Sequence, residues 1–505
     1  MENMGFVSLI PPLLSIALAV TFRNVIISLF VGLFTGLLIL SAGNPLEATT
    51  STIRDYLSPQ LTDSYNAAVI VLLFFIGGFV ALVEHSGGGA AMASRTIAYL
   101  NTKAKTQIAA WCGGLIIFFS DMGTPLIVGP VFEKIFDKVK ASREKLAWIL
   151  DSTSSPVAVL IPFIGWGVYI MGLIGEEFGH LGIDTPEFSA FVQAIPFQFY
   201  AILTVLAVPT VAIARVDFGA MRRADQRVLE TGKLYWPGST PLRNIDVDQK
   251  YGGVESHPSL IWLPLAVLFV TLFGLLIAAG FPFQTVPGSD FRVALSTAYL
   301  FASVVLIAMM LYFKVKRLGA IFDTYLAGMQ KMVSVVLILV LAWALGSLLK
   351  EMGTANYIVA LTQGTIPPFI VPAIIFLSAA GMSFATGSSW GTFAIMLPLA
   401  IPMAAGLEAP IIVSIAAVLS GGIFGDHCSP ISDSTILAST GAGCDHIDHV
   451  KTQLPYALVN GAITLVSFVI AGITHSSLTV LFSIAGMIAI FYLLARLQTR
   501  RTPAH

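Results

Sequence analysis

Apolar runs long enough to cross a bilayer recur along the chain, and short clusters of polar residues interrupt several of them at what reads as membrane depth. A spanning helix needs about 20 mostly apolar residues. Runs at 6–21, 25–40, 67–83, 157–174, 191–213, 260–279, 294–312, 333–349, 458–473 and 478–494 meet or approach that length. Others are too short or lead into breaks: 108–119, 126–132, 367–380, 393–402 and 410–424. The polar stretch 44–65 reads as lying at one surface, 90–100 with Arg95 as an interfacial helix, and 351–363 as an amphipathic piece. Hydrophilic residues dominate 215–257, where Arg222, Arg223, Arg227, Lys233 and Arg243 collect without an apolar period; this predicts a linker between two halves.

The order of parts occurs twice. Each half has a span, a Gly after it (Gly87, Gly353), an amphipathic piece, a short apolar segment, and a polar break with Gly-Thr (Gly123-Thr124, Gly391-Thr392). An apolar return follows, then a second break ending in Ser-Pro (Ser155-Pro156, Ser429-Pro430). Secondary transporters are built so: inverted repeats carry broken segments in corresponding positions, and the site forms where the breaks meet. The segments 108–132 and 366–403 read as re-entrant hairpins, whose tips must be buried in protein because lipid cannot satisfy their backbone. The predicted class is an all-α polytopic membrane protein with two inverted repeats, re-entrant hairpins and broken helices. Its parts are 1–65, N-terminal scaffold helices; 66–213, the first repeat; and 214–258, the linker. Then come 259–330, scaffold helices; 331–473, the second repeat; and 474–505, a last helix and tail.

Four breaks supply the candidate chemistry. The first tip offers Asp121 and Thr124, and the first broken helix Asp151, Ser152, Thr153 and Ser155. The second tip offers Thr386, Ser388 and Ser389, with Thr392 beyond them; the second broken helix offers Asp426, His427, Ser429, Asp433, Ser434 and Thr435. Carboxylates at membrane depth are costly and face wet cavities or bound ions. Carboxylate, hydroxyl and carbonyl oxygens suit a hard cation such as Na⁺, and Asp151, Asp426 and Asp433 are the expected ligands. A carboxylate that takes either Na⁺ or H⁺ makes the two compete for one charge. Other readings stay open: Ser and Thr in such helices also bond their own backbone. Asp151 is also placed to cap a helix or to pair with Lys145, and His427 to relay protons or to hold a structural hydrogen bond. Glu84 and Glu351, at span ends, read as interfacial.

Composition sharpens the class. The chain is 56% hydrophobic and 11% charged, with mean hydropathy +0.85, against about 25% charged residues in soluble domains. The balance of 27 basic and 28 acidic residues gives no reason to expect nucleic acid. Cys112, Cys428 and Cys444 make no disulfide framework. The N-terminal apolar run, without a basic start or a small-residue cleavage site, reads as the first span. Basic clusters in the linker, at Lys314–Arg317 and at Arg496, Arg500 and Arg501 place all three, and so the C-terminus, on the cytoplasmic side. No Walker motif, nucleophile elbow or nucleotide fingerprint is present, which argues against ATP-driven pumping and against an enzyme. Cys444, His446 and His449 lack a second half-site for zinc and read as a solvated turn.

Residues 425–437 (Gly-Asp-His-Cys-Ser-Pro-Ile-Ser-Asp-Ser-Thr-Ile-Leu), with 142–147 (Ser-Arg-Glu-Lys-Leu-Ala) and 151–157 (Asp-Ser-Thr-Ser-Ser-Pro-Val), resemble the NhaC family of Na⁺/H⁺ antiporters in the wider ion transporter superfamily. The resemblance implies a bacterial inner-membrane carrier with about a dozen spans and a transport domain moving against a scaffold. It points to Asp121, Asp151, Asp426 and Asp433 with their hydroxyl neighbours. Function is expected to be Na⁺/H⁺ exchange by alternating access, with Na⁺ and H⁺ as cargo, no cofactor, the lipid bilayer as surroundings, and a homodimer among the allowed assemblies. The alternatives are coupled carriage of a small carboxylate or amino acid through the same site, and a passive ion channel.

Overall fold

The computed structural model describes residues 4–89, 91, 100–242, 256–281, 283–284, 286–362 and 364–501, with side-chain surroundings to residue 497. The expected interfacial helix at 90–100 and Arg243 fall largely or wholly outside those residues. Among the described residues the regular structure is helical, with one isolated bridge between Pro241 and Asp445. Ten helices are long and apolar enough to cross a membrane, or 11 when the bent pair Glu187–Phe197 and Phe199–Ala214 is one span. The protein is therefore a multi-pass membrane protein.

The principal helices are α1 (Ile10–Phe22), α2 (Val25–Leu40), α3 (Ser64–His85), α4 (Lys103–Ile116), α5 (Gly123–Lys138), α6 (Arg143–Ser152), α7 (Gly165–Leu181) and α8 (Phe199–Ala214). They continue with α9 (Gly219–Thr231), α10 (Ser259–Ala278), α11 (Gly288–Tyr312), α12 (Leu318–Lys331), α13 (Val333–Glu351) and α14 (Thr354–Thr362). The last six are α15 (Val371–Thr386), α16 (Ser389–Gly406), α17 (Ile411–Cys428), α18 (Asp433–Ala442), α19 (His446–Thr474) and α20 (Thr479–Arg501). Polar residues between apolar runs start many of them. Asn24, Asp63, Thr102, Ser142, Ser388, Ser432 and Asp445 each accept a backbone N–H at the first turn of their helix, the capping that replaces missing intrahelical partners.

Both hairpins and both broken helices form. Helices α4 and α5 enclose the first tip, 117–122; α15 and α16 enclose the second, at Gly387 (φ 67°) and Ser388. Helix α6 stops at Ser152 and resumes at Ser155–Ala158, while α17 stops at Cys428 and resumes as α18. The second hairpin's arms, Pro368–Thr386 and Ser389–Gly406, hold 19 and 18 residues and are long enough by themselves to span.

Helix α19 fixes the relation between the hairpins. Its 29 residues rise about 43 Å at ~1.5 Å each. Asp445, at its start, accepts the Thr240 N–H from the linker, and Asp225 of the same linker lies 3.6 Å from Lys103 at the base of the first hairpin. Gly472, near its far end, packs directly on the Phe369 carbonyl at the base of the second. The hairpins therefore enter from opposite faces. Helices α3 and α12 cross where a Cβ on Gly77 would fall 2.6 Å from the Gly328 carbonyl oxygen; small residues let membrane helices approach this closely.

The described part of the expected linker, 215–242, is more regular than its composition predicts. It contains the amphipathic helix α9, which buries Met221, Ala224 and Val228 together with Asp225 and Arg227. Arg227 donates to both oxygens of Glu144, at 2.8 and 3.0 Å, and Asp225 accepts the Ser142 N–H at 2.9 Å. Charged residues on the buried face hid the apolar spacing at 221, 224 and 228. Glu84 is likewise not interfacial: it accepts a 2.6 Å hydrogen bond from Ser120 in the first tip. Glu351 accepts one from Tyr56.

Candidate functional site

The two tips and the two broken helices meet. Asp121, Met122, Ser155, Ser388, Ser389, Asp426, Asp433 and Ser434 line one small cavity of ≈ 40 Å³, walled by Trp166 and Trp390. The indole rings lie 4.7 Å apart. Asp426 is buried, whereas Asp433 and Met122 are exposed and mark the mouth.

Beside this cavity, Asp151 is fully buried near the end of α6. It neither caps a helix nor pairs with Lys145. Its Oδ1 accepts from Ser434 at 3.0 Å, and its Oδ2 accepts from Thr435 at 3.1 Å and from Gln453 at 2.7 Å. His449 Nε2 stands 3.5 Å and His427 Nε2 3.8 Å from the same carboxylate. The Ser434 hydroxyl also lies 2.9 Å from Asp426 Oδ2. One residue of α18 thus joins the carboxylates of both broken helices. Burying this many polar groups is tolerable because nearly every carboxylate oxygen has a partner.

The other expected residues divide by where their hydroxyls go. Thr124, Thr153, Thr386 and Thr392 donate to carbonyls of their own helices or tips. Ser388 caps α16 and Ser389 donates to Gly422 O at 3.2 Å. Ser429 accepts the Ile431 N–H. Ser152 is buried with no hydrogen-bond partner for its Oγ. His427 Nδ1 meets the Tyr200 hydroxyl at 3.3 Å. The three aspartates expected as Na⁺ ligands do not close on one point: among the described residues no three His, Cys, Asp or Glu side chains form a metal cage.

Sequence reading missed Gln453 and His449. Both are buried on α19, and His449 was expected in a solvated turn. The signal was present: His449, Gln453, Asn460, Thr464 and Ser467 form a helical stripe of polar residues inside an apolar span. Cys444 is buried as well, and His446 bridges Pro430 O at 2.6 Å and Ser439 Oγ at 3.2 Å.

Known proteins place the chain. Residues 157–473 match the Na⁺/H⁺ antiporter family. An uncharacterized protein of Haemophilus influenzae is 32% identical over 487 residues, which cover 93% of this chain and 92% of that one. The malate-2H⁺/Na⁺-lactate antiporter of Bacillus subtilis is 38% identical over 111 residues, 21% of this chain and 24% of its own. The crystal structure of the YdaH transporter of Alcanivorax borkumensis, at 16% identity, superposes with a TM-score of 0.57 over 85% of this chain and 88% of its own, which extends the likeness to the fold. With the family match spanning most of the chain and two converging broken helices at its centre, the protein belongs to the Na⁺/H⁺ antiporter family.

Proposed function

We propose that the chain exchanges Na⁺ for H⁺ across the bacterial inner membrane by alternating access, with the linker and C-terminus in the cytoplasm. The observation that carries this reading is the Asp151–Ser434–Asp426 bridge. A hydroxyl has one proton, so Ser434 donates to one carboxylate only. Its contact with the other is favourable when that carboxyl holds a proton, or when a cation sits beside the pair. Two bare carboxylates across one hydroxyl repel each other. Either occupant, one H⁺ or one Na⁺, relieves the repulsion, and neither is needed once the other is bound. That is the requirement for exchange without a resident cofactor. Asp433 at the mouth and Asp121 on the opposing tip serve as entry carboxylates, and the hydroxyls of Thr435, Ser155 and Ser389 complete the oxygen-rich surroundings. The two repeats act as a transport core within scaffold helices 1–65 and 259–330.

The test is purified protein in liposomes with an internal pH dye, pulsed with NaCl, LiCl or KCl. Proton flux driven by Na⁺ or Li⁺ is expected, and Asp426→Asn is expected to abolish it while leaving a folded protein. Wild-type exchange by that variant would falsify the assignment.

A second reading has its own observation. The N-terminus of α16 opens on the cavity through Ser388 and Ser389, and helix N-termini attract anions. A small carboxylate coupled to Na⁺ or H⁺ fits that feature, as the Bacillus relative's name would have it. Silence with salts but flux on adding lactate or malate would favour it.

A further inference from the structure

Lys145 is fully buried on α6, the helix that also carries Asp151, about a third of a turn around the axis from it. Six residues separate them, about 9 Å of helix rise at ~1.5 Å per residue. Trp148 fills the interval; its ring lies 5.6 Å from Lys145 Nζ and 4.7 Å from the ring of Tyr456. The lysine ammonium pairs with Asp217, which is on the linker and also accepts the Tyr456 hydroxyl at 2.9 Å. Tyr456 and Gln453 stand on one face of α19, so the two antiparallel helices form successive rungs: Lys145 with Asp217 and Tyr456, then Trp148, then Asp151 with Gln453. Asp225 adds a carboxylate to the same neighbourhood, shared with Lys103 at 3.6 Å. The free edge of Asp217 lines a cavity of ≈ 510 Å³ at the linker face, with Lys103, Gln107, Arg215, Arg222 and Asp225.

We propose that Asp217 sets the cation affinity of the Asp151 site by cancelling the buried charge of Lys145. A lysine held out of water cannot be screened by salt as a surface lysine is. Without Asp217, only Asp225, which is shared with Lys103, would offset its charge, and the excess would oppose any cation arriving at Asp151. Over about 10 Å at an effective dielectric of ~20, a wholly uncompensated charge would cost roughly sixteenfold in affinity, and partial compensation by Asp225 leaves less. Asp217 touches neither Asp151 nor the cavity between the tips, so it acts on the ion's affinity through Lys145. The inference rests on the antiport reading for its choice of Na⁺ as probe.

The experiment measures Na⁺ binding by calorimetry on the full-length purified protein, beside Na⁺-driven proton flux in liposomes. D217N is expected to raise the Kd and KM for Na⁺ three- to tenfold with kcat unchanged, and K145M/D217N to restore both. K145M alone, which keeps Asp217, is expected to tighten Na⁺ binding and needs no unpaired buried lysine to fold. An unchanged Kd in D217N and K145M overturns the proposal. So does a weakened D217N that the double variant fails to rescue, since that marks a purely structural role. Na⁺ binding without Na⁺-driven flux would refute the antiport reading and leave this comparison standing; a wild type that binds no Na⁺ refutes both.

Discussion

Ser434 Oγ lies 3.0 Å from Asp151 Oδ1 and 2.9 Å from Asp426 Oδ2, so a single hydroxyl joins the carboxylates of two helices broken at corresponding places. Removing it should cost what a hydrogen bond to a charged group is worth, about 2 kcal/mol. Ser434→Ala is expected to lower kcat/KM for Na⁺ about thirtyfold, the same energy at ~1.4 kcal/mol per decade. Ser434→Thr keeps the hydroxyl and should recover most of the loss. Equal exchange by the alanine variant in the liposome assay would mean the bridge is incidental.

Gln453 carries the shortest hydrogen bond to Asp151, 2.7 Å, and a second to His427 O at 3.0 Å. Gln453→Leu leaves a buried carboxylate one donor short, a penalty of roughly 1–3 kcal/mol. We expect a folded protein with a changed pH profile of exchange, because the lost donor stabilised the charged carboxylate. A profile superimposable on wild type would count against Asp151 as a group that changes charge.

The buried pair Arg227–Glu144 makes a different test, of the linker. Breaking a buried pair by removing one partner costs about 3–5 kcal/mol, whereas replacing both by apolar residues is often neutral. Arg227→Met should sharply lower the melting temperature in detergent, and the Arg227→Met, Glu144→Leu double variant should recover it. A linker that merely connects the halves would show no loss.

Acid should undock the same segment. Burial opposes the charge on Asp225, yet Lys145, Lys103 and the Ser142 N–H outweigh it and hold the carboxyl below its usual value of 3.8. At Asp445 burial is likewise overcome, by the N–H groups of Thr240 and Asp448. A carboxyl depressed in the folded state contributes stability above its unfolded value and loses it as pH falls through the folded one. Amide protection across 219–242, corrected for the intrinsic pH dependence of exchange, is therefore expected to stay flat from about pH 8 to 5 and to fall below about pH 4. Loss of protection already near pH 6 would point to histidine control instead.

Glycine packing gives a fourth contrast. Gly328 of α12 packs on the Gly77 carbonyl, while Gly319 of the same helix has nothing within 4 Å of where a Cβ would stand. Gly328→Ala should destabilise by about 1–3 kcal/mol through overpacking, and Gly319→Ala should be silent or slightly stabilising. Thermal melts of the two variants in one detergent decide it.

Much of this architecture was legible because breaks in membrane helices are expensive and so stand out. Asp151, Asp426 and Ser434 were found as polar residues interrupting apolar runs, and they converge. Gln453 and His449 escaped because they interrupt nothing: α19 stays helical through them, and their polarity shows only as a stripe at helical spacing. Helix α9 escaped for the opposite reason, since Asp225 and Arg227 are charged residues that it buries. Periodicity reads apolar faces, and it is blind where the buried face is paired charge. The partner of Lys145 could not be read at all, because Asp217 lies 72 residues away and only folding brings it near.

The length of α19 has a mechanical side. It is one continuous helix with Pro455 inside it, anchored to the linker at one face and lying against the second hairpin's base at the other, with the Asp151 contacts near one end. With a far arm of about 31 Å and a near arm of about 10 Å at ~1.5 Å per residue, a tilt of roughly 10° about the Gln453 contact would swing the far end by some 5 Å and the near end by about 2 Å. Such a helix is a lever with unequal arms. On the proposed antiport reading, a small displacement of the near arm, as when a proton is traded for a larger cation, would be delivered at the opposite face magnified about threefold.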